Sequence, residues 1–393
     1  MSASLPIPYF FHLAPKIHYG PGVSDRVGSV LWELGARRVL VITDAGVLAA
    51  GVCDRILAGL KQTGLPYSIH SDLETNPSDV DVEKAAAAYR AHGADAVLGV
   101  GGGSSMDVAK SAALVVSNGG PITDYEQGRR PVTHAPPPLV LVPTTAGTGS
   151  ELVAGAIITD SARVLKLLIV AVPAHVALCD PLLTLTLPPL PTGAAALDAL
   201  AHAIGAYTSV ERQPLADAMA LYAISTISRW LPEVMRDGSD ENARHQLMVG
   251  SMTAGISMKG GGSADHAFAH AVNAMFGVLH GVGVALFMPE VMEFNLPHMP
   301  ERLAEVAVAL GVPDIGGDGD EAAFGGIEVV RSLIQACAIP SLRDLGVRAE
   351  HVPELTEKVM ADSLHLELNA MEITAPHAQD ILTHAIARER AVR

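Results

Sequence analysis

Short, uninterrupted apolar runs recur through the first half of the chain, and segments with apolar residues at helical spacing separate them. An apolar run of this kind is typical of a strand buried on both faces of a parallel sheet. The predicted strands lie at 17–19, 38–43, 67–70, 96–100, 138–142 and 176–179. The predicted helices between them lie at 24–35, 51–63 and 80–92, and 155–170 is predicted to be a β-hairpin turning at Asp160. This alternation predicts a parallel α/β sheet.

The pattern changes at a proline-rich segment, Leu187–Pro191, and almost every periodic segment beyond it has helical spacing. The predicted helices lie at 192–209, 215–231, 241–258, 264–276, 284–295, 300–310, 320–336, 351–361 and 376–390. A chain of 393 residues is long enough for two domains. We therefore predict an α/β domain over residues 1–187 and an all-helical domain over residues 188–393.

Two of the predicted helices carry metal-competent side chains at helical spacing. Asp198 and His202 are i, i+4 in one apolar segment, and His266 and His270 repeat that spacing in another. Residues at i and i+4 lie on the same face of a helix, so each pair points one way. His280 follows in the second segment, just before a predicted Gly-x-Gly turn. The arrangement predicts a metal site.

Each of these features also has an ordinary structural explanation. A single histidine on an apolar helix is usually a satisfied core residue, and an Asp/His pair at i, i+4 can be a helix-surface hydrogen bond. The repeated spacing favours the metal site, because burying Asp or His without a partner costs several kcal/mol. Three imidazoles and one carboxylate suit Fe, Zn, Co or Ni better than Mg or Ca. A site without thiolates, with room for a water or a substrate, is typical of catalysis.

Two polar, glycine-rich loops follow predicted strands in the first half. Residues 101–110 (GGGSSMDVAK) follow one strand and begin a helix, and residues 143–151 (PTTAGTGSE) follow the next. Glycines let backbone N–H groups approach a pyrophosphate, and a helix N-terminus favours its charge. A plain tight turn is the alternative, but both loops lie at the carboxyl edge of the sheet, where ligands bind in α/β folds. The candidate cofactor residues of the first loop are Gly101, Gly102, Gly103, Ser104, Ser105 and Asp107.

Asp44 ends the first long apolar strand of the sheet. A carboxylate at this position can accept hydrogen bonds from an adenosine ribose and would repel a 2′-phosphate. The alternative is an ordinary turn residue at a strand end. The functional interpretation predicts NAD as the cofactor, with NADP as the less favoured choice.

Composition excludes several classes of function. The net charge is −16 and there is no basic run, which argues against nucleic acid as a partner. The N-terminus lacks a basic region followed by a long apolar stretch, and no apolar run is long enough for a membrane span. The 3 cysteines lack metal-type spacing and fit a reducing compartment. We expect a soluble cytoplasmic protein.

The two loops, the DALAHAIGAYTS segment at 198–209 and the HAFAHAVNAMFGVLHG segment at 266–281 together resemble the iron-containing (group III) alcohol dehydrogenase family. The resemblance covers nearly the whole chain, with the motifs in the family's order. It implies a Rossmann-like nucleotide domain, a helical domain and an NAD(P) site in the cleft between them. It also implies a homodimer or a higher homo-oligomer.

The resemblance also implies roles for individual residues. Asp198, His202, His266 and His280 match the family's metal ligands, which most often hold Fe(II) and sometimes zinc. His270 matches a further histidine near the reacting centre, and Lys166 matches a nucleotide-contacting lysine. The positions that match the cofactor cradle are Gly102, Gly103, Ser104, Thr144, Thr145 and Thr148.

The chain departs from the family pattern near the expected substrate pocket. Gly205 stands where the family usually has Glu, and Asn273 stands where it usually has Gly. Lys259 and the glycines after it replace a small apolar lead-in. Lys259 could hold a substrate carboxylate, or it could cap the preceding helix, where positive charge is favourable.

The resemblance implies an alcohol dehydrogenase, or in reverse an aldehyde reductase. A metal polarises the oxygen of a small alcohol or hydroxy acid, and hydride passes between its carbon and NAD. A hydroxyacid–oxoacid transhydrogenase and a zinc glycerol dehydrogenase are alternatives on the same fold. Dehydroquinate synthase is a more distant one, and a non-enzymatic nucleotide-binding protein is the alternative of another class.

Overall fold

The computed structural model describes residues 11–13, 15–163, 165–313 and 319–388. Eight strands are found there, β1 to β8 in chain order: Lys16–Tyr19, Val39–Ile42, Tyr67–His70, Ala96–Gly101, Leu139–Pro143, Gly155–Asp160, Leu165–Val170 and Val176–Cys179. Six of them form one sheet in the order β1-β8-β5-β4-β2-β3, and every pairing in it is parallel. β6 and β7 form the antiparallel hairpin. The predicted parallel sheet and hairpin are confirmed.

The continuous apolar runs of the central strands follow from burial on both faces. In β2, Val39 and Val41 pack on one side with the helices before and after the strand, whereas Leu40 and Ile42 pack on the other. All four residues are fully buried. Five helices accompany the sheet, α1 to α5: Val27–Glu33, Ala45–Ala49, Cys53–Thr63, Asp79–His92 and Gly103–Asn118.

The second half of the chain is helical, as the sequence predicts. Its helices, α6 to α15, are Pro189–Thr208, Pro214–Arg236, Glu241–Ser257, Asp265–Phe276, His280–Asn295, Pro300–Ala309, Gly319–Ala336, Val352–Ala361, Ser363–Leu368 and Ala375–Ala387. They surround one large apolar core. The last two residues of the predicted helix 376–390 lie outside the described residues.

The start of α10 corrects one prediction. Gly281 and Gly283 do not form a turn after His280; the helix begins at His280 and includes both glycines. A Cβ on Gly281 would lie 2.3 Å from the carbonyl oxygen of Ala194 in α6, and one on Gly283 would lie 3.1 Å from Ala269 in α9. The glycines therefore serve close helix packing rather than chain reversal.

Two short helices are absent from the sequence prediction. Asp44 caps α2 and Asp362 caps α14, each through a side chain that accepts a backbone N–H hydrogen bond. Helices of one or two turns are too short to show a periodic apolar face, so only the cap residues could have indicated them.

None of the described helices is long and apolar enough to cross a lipid bilayer.

A buried lysine in α5 joins the two glycine-rich loops. The Lys110 ammonium donates to the carbonyl oxygens of Ser150 (2.9 Å) and Gly155, and lies 3.0 Å from the Asp107 carboxylate. Asp107 accepts hydrogen bonds from the Ser150 hydroxyl (2.6 Å) and the Ile157 amide (2.9 Å). One Asp107 oxygen thus supports the second loop, and the other supports β6 of the hairpin. Direct cofactor contact by Asp107 stays a prediction.

We expect Lys110→Met to destabilise the protein by about 3 kcal/mol, because it leaves a buried carboxylate and buried carbonyl groups without their partner. The measurement is the free energy of urea unfolding followed by circular dichroism. The matched control is Lys84→Met, since Lys84 pairs with Asp72 on the exposed surface. Equal unfolding midpoints for the two variants would contradict the structural role of Lys110.

Candidate metal centre and nucleotide cleft

Four side chains from three helices converge on one point in the helical domain. α6 supplies Asp198 and His202, α9 supplies His266, and α10 supplies His280. The Nε2 atoms of His202, His266 and His280 lie 3.9, 3.7 and 3.5 Å from Oδ1 of Asp198. These separations are long for hydrogen bonds but suit neighbouring ligands of one ion, each about 2 Å from it.

The donor set fits a divalent cation. Among the described residues, Oδ1 of Asp198 and Nε2 of His266 are buried without a hydrogen-bond partner. Asp198, His202 and His266 offer ligand atoms within 4.8 Å of one another. Leaving such atoms unpaired is costly, and a cation would satisfy all of them at once. The predicted ligand residues are therefore together in space.

Metal binding needs neutral imidazoles, and burial favours the neutral form at two of the three histidines. Burial lowers the pKa of His202, and lowers that of His280 well below its usual value. Burial also lowers the pKa of His266, but the hydrogen bond and charge of Asp265 outweigh burial and raise it overall. A cation beside His266 would oppose that rise.

Asp265 orients His266, and the sequence analysis missed it. Its Oδ1 accepts hydrogen bonds from Nδ1 (2.8 Å) and the backbone amide (2.8 Å) of His266. A carboxylate only accepts, so Nδ1 carries the proton and Nε2 presents a lone pair to the site. The signal available in the sequence was a carboxylate directly before a histidine in an otherwise apolar helix.

His270 lies beside the metal centre but in a different kind of cluster. Its Nδ1 is 2.8 Å from Oδ2 of Asp362, and Nδ1 of His365 is 2.9 Å from the other oxygen of that carboxylate. These are ordinary hydrogen bonds that need no ion. The rings of His270 and His365 stack on the ligands His280 and His266, with centroids 5.3 and 5.4 Å apart. The sequence analysis missed Asp362 and His365, which lie far from His270 along the chain.

The glycine loop and the second loop meet at the carboxyl ends of β4 and β5. The Thr144 amide donates to the Gly101 carbonyl (2.9 Å). Gly101 has φ of 146°, and a Cβ there would lie 2.5 Å from Oγ of Ser105. A Cβ on Gly103 would lie 3.0 Å from the side chain of Thr148, so the two loops are in close contact there. The two loops thus border one site at the N-terminus of α5.

The remaining cofactor residues of the loops lie at the same edge. A Cβ on Gly102 would lie 3.7 Å from Oγ1 of Thr145, a buried hydroxyl without a partner among the described residues. The Ser104 hydroxyl donates to the carbonyl of Thr75 (2.6 Å), in the loop after β3. An unpaired hydroxyl beside a glycine cradle is a donor that a phosphate could use.

Asp44 lies at the end of β2, next to the glycine loop. Its Oδ1 accepts from the Val47 amide (2.9 Å) and its Oδ2 accepts from the Ser105 hydroxyl (3.1 Å). The carboxylate is therefore both a helix cap and a neighbour of the proposed cofactor site. Its contact with a ribose stays a prediction.

Lys166, on β7 of the hairpin, faces the cleft between the domains. Burial lowers its pKa to about 8. It lines the cleft together with His270, Asp362, His365 and Lys358. Lys259 is not among the described residues that line this cleft, and it directly follows the last turn of α8. That position is consistent with the capping role.

Known proteins match this chain over nearly its full length. The family profile described as "Iron-containing alcohol dehydrogenase" matches residues 14–181, and "Fe-containing alcohol dehydrogenase family, C-terminal" matches residues 192–386. Choline dehydrogenase of Bacillus subtilis is 34% identical, covering 90% of this chain and 89% of its own. NAD-dependent methanol dehydrogenase of Bacillus methanolicus is 33% identical, and the match covers 96% of this chain and 99% of that protein. The structure of an alcohol dehydrogenase from Oenococcus oeni is 32% identical, with a TM-score of 0.92 over 96% of this chain and 100% of that one.

We expect His266→Ala and His280→Ala to lose metal retention and dehydrogenase activity while the fold is kept, because each removes one ligand atom. Asp265→Asn should weaken metal affinity about 10- to 100-fold, because it disturbs the orientation of His266. Metal content by mass spectrometry and circular dichroism spectra provide the measurement. His384→Ala, on the exposed face of α15, is the control. Full metal occupancy in both ligand variants would exclude this centre.

Proposed function

This chain belongs to the iron-containing alcohol dehydrogenase family and is an NAD-dependent alcohol dehydrogenase, and we propose that Asp198, His202, His266 and His280 hold its Fe(II) ion. The observation that carries the proposal is the buried Oδ1 of Asp198, which lies within 3.9 Å of three imidazole nitrogens. Zinc has the same ligand preferences and is the alternative metal.

The chemistry divides between the bound groups and the chain. When bound, the ion supplies Lewis-acid stabilisation of charge on the substrate oxygen, and NAD supplies the hydride acceptor. The four proposed ligands would hold the ion beside His270, which lines the cleft. The backbone N–H groups at the start of α5 and the unpaired hydroxyl of Thr145 would bind the pyrophosphate.

His270 is proposed to contact the reacting centre. Asp362 accepts the Nδ1 hydrogen bond, so Nε2 is left as an acceptor. Burial lowers the pKa of His270 to about 3, so the ring is neutral near pH 7. A group with this pKa does not hold an added proton near neutral pH. We therefore assign Nε2 of His270 to accepting a hydrogen bond from a hydroxyl or a water on the path of the departing proton.

The substrate is proposed to be a small primary alcohol or hydroxy acid, or the matching aldehyde. The relatives named above act on choline and methanol, and a 4-hydroxybutyrate dehydrogenase of Cupriavidus necator is 32% identical. The cleft is lined by two lysines, Lys166 and Lys358, either of which would pair with a substrate carboxylate, and by the carboxylates of Glu126 and Asp362. The 3 buried free cysteines suit the cytoplasm, where we place the enzyme as a homodimer or a higher homo-oligomer.

Metal removal tests the function directly. Purified enzyme should reduce NAD with small primary alcohols, lose this activity in a chelator and regain it with Fe(II), because the ion stabilises charge on the substrate oxygen. NADH absorbance with a panel of short alcohols and ω-hydroxy acids gives the rates. Activity that survives complete metal removal would rule out the proposed mechanism.

The charge of Asp44 should set the choice between NAD and NADP. Because Asp44 also caps α2, Asp44→Asn is a cleaner variant than Asp44→Gly: asparagine is a good N-cap and removes only the charge. We expect the ratio of kcat/KM for NAD to that for NADP to fall by about tenfold, or about 1.4 kcal/mol. Asp44→Gly should relax the ratio too, with an added loss of stability. An unchanged ratio in both variants would place the selectivity elsewhere.

A further inference from the structure

Asn273, in the last turns of α9, makes two hydrogen bonds with one amide group. Its Nδ2 donates to the carbonyl oxygen of Val278 (2.6 Å) and to Oδ1 of Asn76 (3.1 Å). Asn273 and Val278 are almost completely buried. This is also a position where the chain departs from the family pattern, which usually has glycine. The carboxamide is therefore a feature of this chain that the proposed mechanism does not yet use.

One of these bonds holds the segment that carries metal ligands. Val278 lies in the turn that joins α9 to α10, and α10 begins at His280. α9 itself carries His266. Fixing the Val278 carbonyl therefore fixes where the first turn of α10 lies relative to α9, and with it two of the four proposed ligands.

The other bond reaches the opposite wall of the cleft. Asn76 belongs to the loop between β3 and α4 of the α/β domain, and its Oδ1 also lies 3.4 Å from the Lys166 ammonium. The neighbouring Thr75 carbonyl accepts the hydrogen bond from Ser104, in the first turn of α5. The loop at 75–76 is thus where the glycine loop, the hairpin and the helical domain meet.

We propose that Asn273 is a positioning residue that sets the distance between the metal-ligand segment and the nucleotide site, acting through Asn76. The inference rests on the proposed function. The bond joins the two walls of the cleft, so its loss would leave more of the cost of ordering them to be met when the cofactor binds. Hydride transfer is sensitive to such placement, because an error of about 1 Å in the reacting groups costs about 100-fold in rate.

A purely structural role is the rival explanation. In that case Asn273 only caps the end of α9 through Val278, and its loss would lower stability without a specific effect on the cofactor. The two roles differ in one measurable property, the dependence of the Asn273 effect on Asn76. Residues that act through one another give non-additive effects in a double-mutant cycle.

The experiment measures the NADH dissociation constant of the Fe(II)-loaded enzyme by fluorescence titration, with KM and kcat for a primary alcohol alongside. The variants are Asn273→Ala, Asn76→Ala and the double variant. We expect Asn273→Ala to weaken NADH binding by about 3- to 10-fold, the effect of one lost hydrogen bond. In the Asn76→Ala background, Asn273→Ala should weaken NADH binding by less than about 2-fold. Should Asn273→Ala fail to fold, Asn273→Gly removes the same amide at a position where the family usually has glycine.

Asn295→Ala is the matched control. Asn295 is equally buried and shares two 3.0 Å amide hydrogen bonds with Asn369, but both partners belong to the helical domain. It should lower thermal stability and leave NADH affinity unchanged. Additive losses in the cycle, or an equal loss of NADH affinity in Asn295→Ala, would overturn the role of Asn273 and leave the dehydrogenase function standing. A wild-type enzyme that binds no NADH would overturn both.

Discussion

One buried carboxylate oxygen constrains the helical half of the molecule. Oδ1 of Asp198 has no hydrogen-bond partner among the described residues, although it lies inside an apolar core. An oxygen in this situation destabilises the fold unless a cation or a donor joins it. The three imidazole nitrogens that face it are acceptors in the form the metal needs, so they cannot supply that donor. An ion at this point would satisfy the oxygen and the three nitrogens together, so metal binding would add to the stability of the fold.

Close packing of helices brings the proposed metal ligands together. α10 lies so near α6 that no side chain fits at Gly281, where a Cβ would meet the Ala194 carbonyl at 2.3 Å. Gly281 directly follows His280 in α10, and Ala194 lies one turn before Asp198 in α6. Any larger residue at 281 would push the helices apart and separate the ligands. Gly281 therefore keeps the proposed ligands together by allowing this close helix contact.

The sequence predicted what depends on local periodicity and missed what depends on distant pairing. The continuous apolar runs and the i, i+4 spacing of Asp198 and His202 are local patterns: the strands are confirmed, and the two side chains lie on one face of α6. Gly281 was misread because a glycine at a turn and a glycine at a helix contact look alike in one sequence. Asp362 could not be found, since only the folded chain brings it to His270. Its one local signal was its place as a cap of a helix too short to predict.

On one side of the cleft, backbone contacts fix the separation between the second loop and the helical domain. The second loop packs its glycines directly on the helical domain: a Cβ on Gly147 would lie 2.6 Å from the Ala195 carbonyl of α6, and one on Gly149 would lie 2.7 Å from Gly255 of α8. α6 carries Asp198 one turn later. Because such backbone contacts are close-packed, they do not deform continuously, and a shift of the loop would have to move α6 with it. On this side the second loop and α6, which carries Asp198 and His202, therefore form one rigid unit. On the other side of the cleft, the described walls meet through side chains such as Asn273 and Asn76. Any adjustment of the cleft to different substrates should therefore occur on that second side.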